Sequence, residues 1–252
     1  MRKLFTALVA CVFCVSCSAG GIKDYAIKVV KEYPHDVTSY TQGLFFHNGN
    51  LYESTGQYGS STLRKVDLDT GKPLRKLSFS SKYFVEGSSI LDDKLYVLTW
   101  QNKLAFVYDA ATMEYSQSFS YPREGWGMTT DGKQLIVSDG SDKLYFLDDK
   151  LNTVKTIKVS INGRPLRLLN ELEWIDGKIW ANIYTTDRIA IINPESGDVE
   201  GLVDCTGLLP KSLRTPDTDV LNGIARNQSD GKIYITGKNW PKMYQIELVR
   251  KK

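Results

Sequence analysis

The 252-residue chain carries 32 Lys and Arg against 29 Asp and Glu, a formal charge of +3, and 42% hydrophobic residues. That balance belongs to a globular protein with enough apolar material for a core, and it excludes a disordered polar chain. No sustained basic block stands outside Arg250-Lys251-Lys252, so nucleic-acid binding has no electrostatic footprint.

In chain order, the first twenty residues read as an export signal. Arg2 and Lys3 precede the apolar run Leu4 to Val15, which is too short to span a bilayer and ends in small residues. The ending Val15-Ser16-Cys17 suits a bacterial lipoprotein in which Cys17 becomes the lipidated first residue, although Cys14 stands where that signal usually has an aliphatic group. Leu8-Val9-Ala10-Cys11 fits the local pattern with a very short apolar core, and ordinary cleavage after Ala19 is a further alternative. The expected protein is exported, periplasmic or anchored at the outer membrane, with Cys17 as its only membrane attachment. Cys11, Cys14 and Cys17 belong to the leader region and only Cys205 is left in the globular body, so Cys205 makes no internal disulfide and reads as a small core residue.

From Asp24 onward the chain is a series of short strands and turns without a linker, which predicts one domain over 21–252. A turn rich in Asn, Asp and Gly followed by an apolar strand recurs, with strands starting at Leu51, Leu95, Leu135, Ile179 and Ile233. A repeat of roughly forty to fifty residues with several strands per unit predicts an all-β fold, a five-bladed β-propeller. The segment Thr206 to Thr218 lengthens the last unit and is expected as a loop or short helix. Ring closure is expected to pair Ile27–Val30 with Met243–Leu248, since a propeller must tie its first and last blades.

The repeat also predicts a site. Nine residues before the first four strand starts stand Gln42, Glu86, Trp126 and Asn170, and Asn222 occupies the equivalent place in the fifth unit. Five residues after each start stand Gly56, Trp100, Gly140, Tyr184 and Lys238. Matching positions in successive blades lie at matching radii, so these residues should gather around one channel as a few polar groups in an aromatic wall. Glu86 is the candidate for chemistry, because a carboxylate on an inner strand is costly unless paired; the plain alternative is an ion pair with Lys238. Asn170 and Asn222 equally suit satisfaction of inner-strand backbone groups, and Trp174 and Trp180 suit the core. His35 and His47 belong to no metal-ligand spacing, and no phosphate loop, nucleophile elbow or Ser-His-Asp set is present, so no metal or cofactor is expected.

Tyr40-Thr41-Gln42-Gly43-Leu44, Val85-Glu86-Gly87, Leu98-Thr99-Trp100, Gly125-Trp126-Gly127, Asn170-Glu171-Leu172-Glu173-Trp174, Leu221-Asn222-Gly223 and Thr236-Gly237-Lys238-Asn239-Trp240 stand in this order along the chain. Together they resemble the glutaminyl-peptide cyclotransferases of the plant and bacterial type, from about Val29 to Leu248. The resemblance implies a five-bladed propeller and conversion of an N-terminal glutamine to pyroglutamate with release of ammonia and without zinc. It implies Glu86 as the catalytic acid/base, with Gln42, Trp100, Trp126, Asn170 and Lys238 lining the substrate pocket. The family usually has Phe at Tyr40 and Trp at Tyr184, which keeps the wall aromatic and bears on substrate preference. The implied partners are peptides or proteins beginning with glutamine, acted on by a monomer. A propeller that only binds a peptide or glycan in the same channel is the rival from another class, because one fold hosts many functions. A metal-dependent lactonase-like propeller would need several carboxylates in the ring, and only Glu86 is acidic among Gln42, Glu86, Trp126, Asn170 and Asn222.

Overall fold

A computed structural model describes residues 21–251. The leader, including Cys17 and the expected cleavage sites, lies outside the described residues.

The described residues are all-β apart from one 3-10 turn, Lys211–Leu213, in the segment expected as a loop or short helix. After β1 (Lys23–Pro34) come three antiparallel four-stranded sheets, each a meander in chain order. They are β2 (Thr41–His47), β3 (Asn50–Thr55), β4 (Thr62–Val66) and β5 (Pro73–Ser78); then β6 (Val85–Leu91), β7 (Lys94–Thr99), β8 (Leu104–Asp109) and β9 (Tyr115–Ser120). The third holds β10 (Met128–Thr130), β11 (Leu135–Ser138), β12 (Lys143–Leu147) and β13 (Thr153–Lys158). A short ribbon follows, β14 (Ser160–Ile161) with β15 (Arg164–Pro165). The rest is β16 (Leu169–Ile175), β17 (Lys178–Ile183), β18 (Arg188–Ile192), β19 (Val199–Asp204), β20 (Leu221–Arg226), β21 (Ile233–Gly237) and β22 (Lys242–Arg250). With β1 these strands form one eight-stranded sheet in the order β16-β17-β18-β19-β1-β22-β21-β20.

The recurring turn is the local signal that starts each second strand. Asn48-Gly49 and Asp176-Gly177 have φ of 48°, 72° and 49°, 76°, and Asp92-Asp93 has 48° and 58°. Positive φ at both central residues is the type I′ turn, whose twist matches that of a hairpin, and Asn, Asp and Gly are the residues that tolerate it.

Burial falls across each meander. The first strands β2 and β6 are buried almost throughout, whereas the fourth strands β5 and β9 are mostly exposed. The first strands stand side by side: β2 lies against β6, β6 against β10, β10 against β16, β16 against β20 and β20 against β2. The apolar core fills the spaces between neighbouring sheets. Phe45, Tyr52 and Leu63 pack on Val85, Ile90 and Leu95, and Leu91 and Leu98 pack on Met128 and Leu135. Cys205 is part of this core, its thiol pushed up to about 12 by burial and then by Asp204 and Asp187.

β1 pairs antiparallel with β22, setting Ile27 opposite Leu248 and Val29 opposite Ile246 as expected. It also pairs parallel with β19, Lys23 opposite Gly201, a contact that no local pattern announced.

Just past β1, buried His35 ties this strand to the site-bearing segments. Its Nδ1 donates to the Trp240 carbonyl at 2.7 Å and its Nε2 to Glu53 Oε1 at 2.9 Å. Both partners accept, so both ring nitrogens carry protons and the ring is an imidazolium. Thr41 Oγ1 and Ser39 Oγ also donate to Glu53, and Arg64 donates to Ser39 Oγ and Asp36. Burial alone would lower the His35 pKa, but Glu53 and the Trp240 carbonyl raise it above 6.5. Burial would raise Glu53, yet His35 and Arg64 hold it below 4.5. A raised histidine stabilises fully below 6.5 and loses that contribution as pH climbs through its folded value; a depressed carboxylate stabilises above 4.5 and loses it as pH falls through its own. The pair's full contribution therefore lies between those values. Urea unfolding against pH is expected to show a decline above 6.5 that His35→Gln flattens; equal alkaline slopes in the two proteins would remove the imidazolium.

Candidate active site

Gln42, Glu86, Asn170 and Asn222 are each the second residue of β2, β6, β16 and β20. At those places the pairing with the next strand slips: between Thr41 and Gly43, Val85 and Ser88, Leu169 and Leu172, and Leu221 and Ile224. A bulge bends the strand and re-aims its side chain, here toward the axis. The backbone groups that the slip frees are taken up by side chains. Ser54 Oγ donates to the Glu86 carbonyl at 2.7 Å, Ser138 Oγ to the Asn170 carbonyl at 2.8 Å, and Asn222 Nδ2 to the Thr41 carbonyl at 2.8 Å. Asn182 Oδ1 accepts from Gly223 N at 3.0 Å.

A cavity of about 240 Å3 opens at this end of the inner strands. Glu86, Gln42, Trp100, Trp126, Asn170, Tyr184 and Lys238 line it, together with Tyr40 and Phe84. Asn222 does not; it is fully buried beneath the floor, where its Nδ2 also donates to Gln42 Oε1 at 3.3 Å. The aromatic wall is cross-braced. Phe84 meets Tyr40, Tyr58 and Trp100 edge-on, and Trp126 meets Tyr184 at an interplanar angle of 83°. Gly56 and Gly140 serve this wall by lacking a side chain, since the Phe84 and Trp126 rings occupy the space a Cβ would need.

Glu86 is 5% exposed, and among the described residues its carboxyl has no hydrogen-bond or ion-pair partner. Burial pushes its pKa well above the usual carboxylate range; Lys238 opposes this and Glu124 adds to it. Lys238 is 2% exposed and likewise without an ion pair among the described residues. Its Nζ lies 4.5 Å from the Tyr40 ring centroid and 5.2 Å from that of Tyr184, where the rings' faces favour a cation. Burial lowers its pKa to about 8 against the pull of Glu86 and Asp219. The ion pair expected as the plain alternative is thus replaced by two separate groups, a carboxyl that burial raises and an ammonium that burial lowers, the kind of perturbation that clusters at functional sites. Asn170 is 3% exposed, and its buried Oδ1 has no hydrogen-bond partner among the described residues.

Other members of the site carried no signal in the repeat. Phe84 falls beside the ring positions rather than on one. Asp219 comes from the long last connection, accepts the Tyr40 hydroxyl at 2.7 Å and, after burial, raises that phenol's pKa. Glu124 accepts both indole N–H groups of the wall, from Trp100 Nε1 at 2.9 Å and Trp126 Nε1 at 3.3 Å. Trp180 and Trp240 belong to the core, and Trp240 Nε1 donates to the Asp219 carbonyl. Trp174 lines a larger cavity of about 830 Å3 at the far end of the inner strands, among the hairpin turns. Between the two cavities β16 sends Glu171 and Glu173 across to neighbouring strands. Glu171 accepts from Leu44 N and Ile224 N, and Glu173 from Arg226 N and Thr129 Oγ1. Among the described residues no group of three or more His, Cys, Asp or Glu side chains is arranged to hold a metal ion.

A family model described as glutamine cyclotransferase matches residues 3–248. A glutaminyl-peptide cyclotransferase of Arabidopsis thaliana is 43% identical over 230 residues, covering 88% of this chain and 71% of that protein. The crystal structure of the Myxococcus xanthus glutaminyl cyclase superposes with a TM-score of 0.85 at 33% identity, covering 92% of this chain and 100% of that one. On these matches, which span the strands that build the cavity, the chain belongs to the glutamine cyclotransferase family.

Proposed function

We propose that this chain is a glutaminyl-peptide cyclotransferase, closing the N-terminal glutamine of a peptide or protein to pyroglutamate with release of ammonia. The observation that carries the reading is Glu86, a buried carboxyl without a hydrogen-bond or ion-pair partner among the described residues, facing a cavity of about 240 Å3 in a member of this family.

The cavity holds the glutamine folded back, so that its α-nitrogen reaches its own carboxamide carbon; such positioning removes much of the entropic barrier. An α-amine has a pKa of about 8, so part of the substrate already arrives as the nucleophile. The nitrogen attacks, a C–N bond forms, and the carboxamide oxygen takes the charge. Glu86 as carboxylate accepts the surplus proton from the attacking nitrogen and returns it to the carboxamide nitrogen. The second C–N bond then breaks, the carbonyl re-forms and ammonia leaves. A carboxyl whose pKa burial raises well above the usual range holds its proton firmly enough to take it from one nitrogen and hand it to the other. Lys238 and Asn170 stabilise the oxyanion; the indole N–H groups of Trp100 and Trp126 are committed to Glu124 and do not serve.

The same reading takes the fold as a single five-bladed propeller over 21–252. The eight-stranded sheet divides at the parallel β1/β19 contact into two four-stranded blades, the second made of β20, β21, β22 and the returning β1. Residues 1–20 are then an export leader, with a lipid on Cys17 and a monomeric enzyme in the periplasm or at the outer membrane.

Ammonia release from a short peptide beginning with Gln, with a chelator present, tests the activity. Release that persists in chelator is expected. No release from any Gln-initiated peptide, by protein shown to be folded, would leave a propeller that binds its ligand without converting it.

A further inference from the structure

Glu124 lies in the connection between β9 and β10, outside both rings of repeat positions, and is half-buried behind the cavity wall. Its Oε2 receives the indole N–H of Trp100, from the connection after β7, and of Trp126, from the segment before β10. One carboxylate oxygen thereby fixes two rings from different sheets. The pyrrole edge of Trp126 is held by Glu124 and its benzo edge rests on Gly140, which has φ of 76° and no room for a side chain. Trp100 is held at the same kind of edge and braced by Phe84. With both N–H edges turned to Glu124, what the indoles offer the cavity is π surface, and the charge behind them makes that side of the wall electronegative.

The opposite side carries the other sign. Lys238 stands between the Tyr40 and Tyr184 rings. The cavity is therefore polarised, with an ammonium on one side and indoles backed by a carboxylate on the other. A glutaminyl N-terminus is polarised as well: a cationic amino group at one end and a carboxamide, which develops oxyanion charge, at the other. Cations seek indole faces and carboxylates, and developing anions seek the ammonium.

We propose that Glu124 is a positioning and specificity residue, which holds the N–H edges of Trp100 and Trp126 away from the cavity and so makes their side of it the seat of the substrate's free α-amino group. The inference rests on the reading of this cavity as the glutaminyl site. It gives the bound substrate a direction: α-nitrogen toward the indoles, carboxamide oxygen toward Lys238. Glu124 acts through the rings and through its charge, which also adds to the raised pKa of Glu86; the charged and titratable groups around Glu86 are Lys238, Glu124, Tyr40 and Tyr184.

The test compares wild type with Glu124→Gln, which keeps an acceptor for the indoles but removes the charge, and with Glu124→Ala, which removes both. The binding probe is a tripeptide beginning with norvaline, which cannot cyclise, and its N-acetyl form, followed by tryptophan fluorescence. Wild type is expected to prefer the free amine by about tenfold, the scale of one charge-assisted contact, and both variants to lose most of that preference. In turnover of a Gln-initiated peptide, Glu124→Gln is expected to raise KM by about tenfold with kcat within a few-fold, and to move the pH limb of Glu86 downward. A Glu124→Gln variant that keeps wild-type preference for the free amine overturns the proposal, as does a wild type that binds the acetylated tripeptide equally well. Because the norvaline probe needs no turnover, a protein that prefers the free amine yet releases no ammonia from Gln peptides upholds this inference and rejects the cyclotransferase reading alone.

Discussion

Glu86→Gln is expected to lower kcat for a Gln-initiated peptide by about 10²–10⁴, the range for loss of a positioned acid/base, and to leave the fold unchanged. The substitution is nearly isosteric and breaks no hydrogen bond of the side chain, because the carboxyl makes none among the described residues; the Ser54 bond goes to the Glu86 backbone and survives. Burying an unpaired titrating group is unfavourable, so the amide should leave stability level or slightly improved. That combination separates a catalytic role from a structural one. The pH profile adds a second check. Lys238 is protonated below about 8, so its help to the oxyanion is present there and is lost as pH rises through that value. The alkaline limb of kcat should then sit near 8 and disappear in Lys238→Met, whose overall rate is also reduced. A Glu86→Gln protein that folds and turns over normally would remove Glu86 from the mechanism.

The second large effect is expected far from the chemistry. Glu171→Ala should destabilise the fold by about 2–6 kcal/mol, the cost of orphaning two buried N–H groups. Leu44 N and Ile224 N both end on the Glu171 carboxyl, at 3.2 Å and 2.8 Å, and they belong to β2 and β20. One fully buried side chain from β16 thus satisfies backbone donors on two strands with which it does not pair. Burial and the neighbouring Glu173 push its pKa well above the usual range, against the two N–H bonds. Glu171→Gln should lie between wild type and alanine, because its amide keeps one acceptor and presents N–H to the other donor. Denaturant unfolding of the three proteins measures this directly; wild-type stability in Glu171→Ala would mean that the contacts across the axis are dispensable.

The repeat made most of the fold legible. Turn residues that tolerate positive φ marked the start of β3, β7, β11, β17 and β21, and the same register placed Glu86, Gln42, Trp100, Trp126, Asn170, Tyr184 and Lys238 around one cavity. Asn222 shared the register yet lies beneath the floor, because its amide is spent on the Thr41 carbonyl and on Gln42. What escaped the repeat are residues whose partners are distant in sequence and occur once. Glu171 and Glu173 look like ordinary strand residues until β2, β10 and β20 are brought around them. Glu124 and Asp219 come from connections of irregular length, where no register exists to compare. His35 carried no local signal of its role, which needed Glu53 and the Trp240 carbonyl in place. Phe84 precedes β6, and only the glycine at position 56 opens room for its ring.

The slipped pairing at Gln42, Glu86, Asn170 and Asn222 has a consequence for how such a site changes over time. A ladder residue is bound to its neighbours twice, by hydrogen bonds and by facing side chains, so exchanging it disturbs alignment along the whole strand. At these positions the ladder passes the residue by, and Ser54 and Ser138 hold the Glu86 and Asn170 backbones instead. The side chains of Glu86 and Asn170 can be exchanged without shifting the strands that carry them. The cavity behaves as a set of sockets on a fixed frame, whose chemistry can be rewritten one residue at a time while the architecture stays as it is.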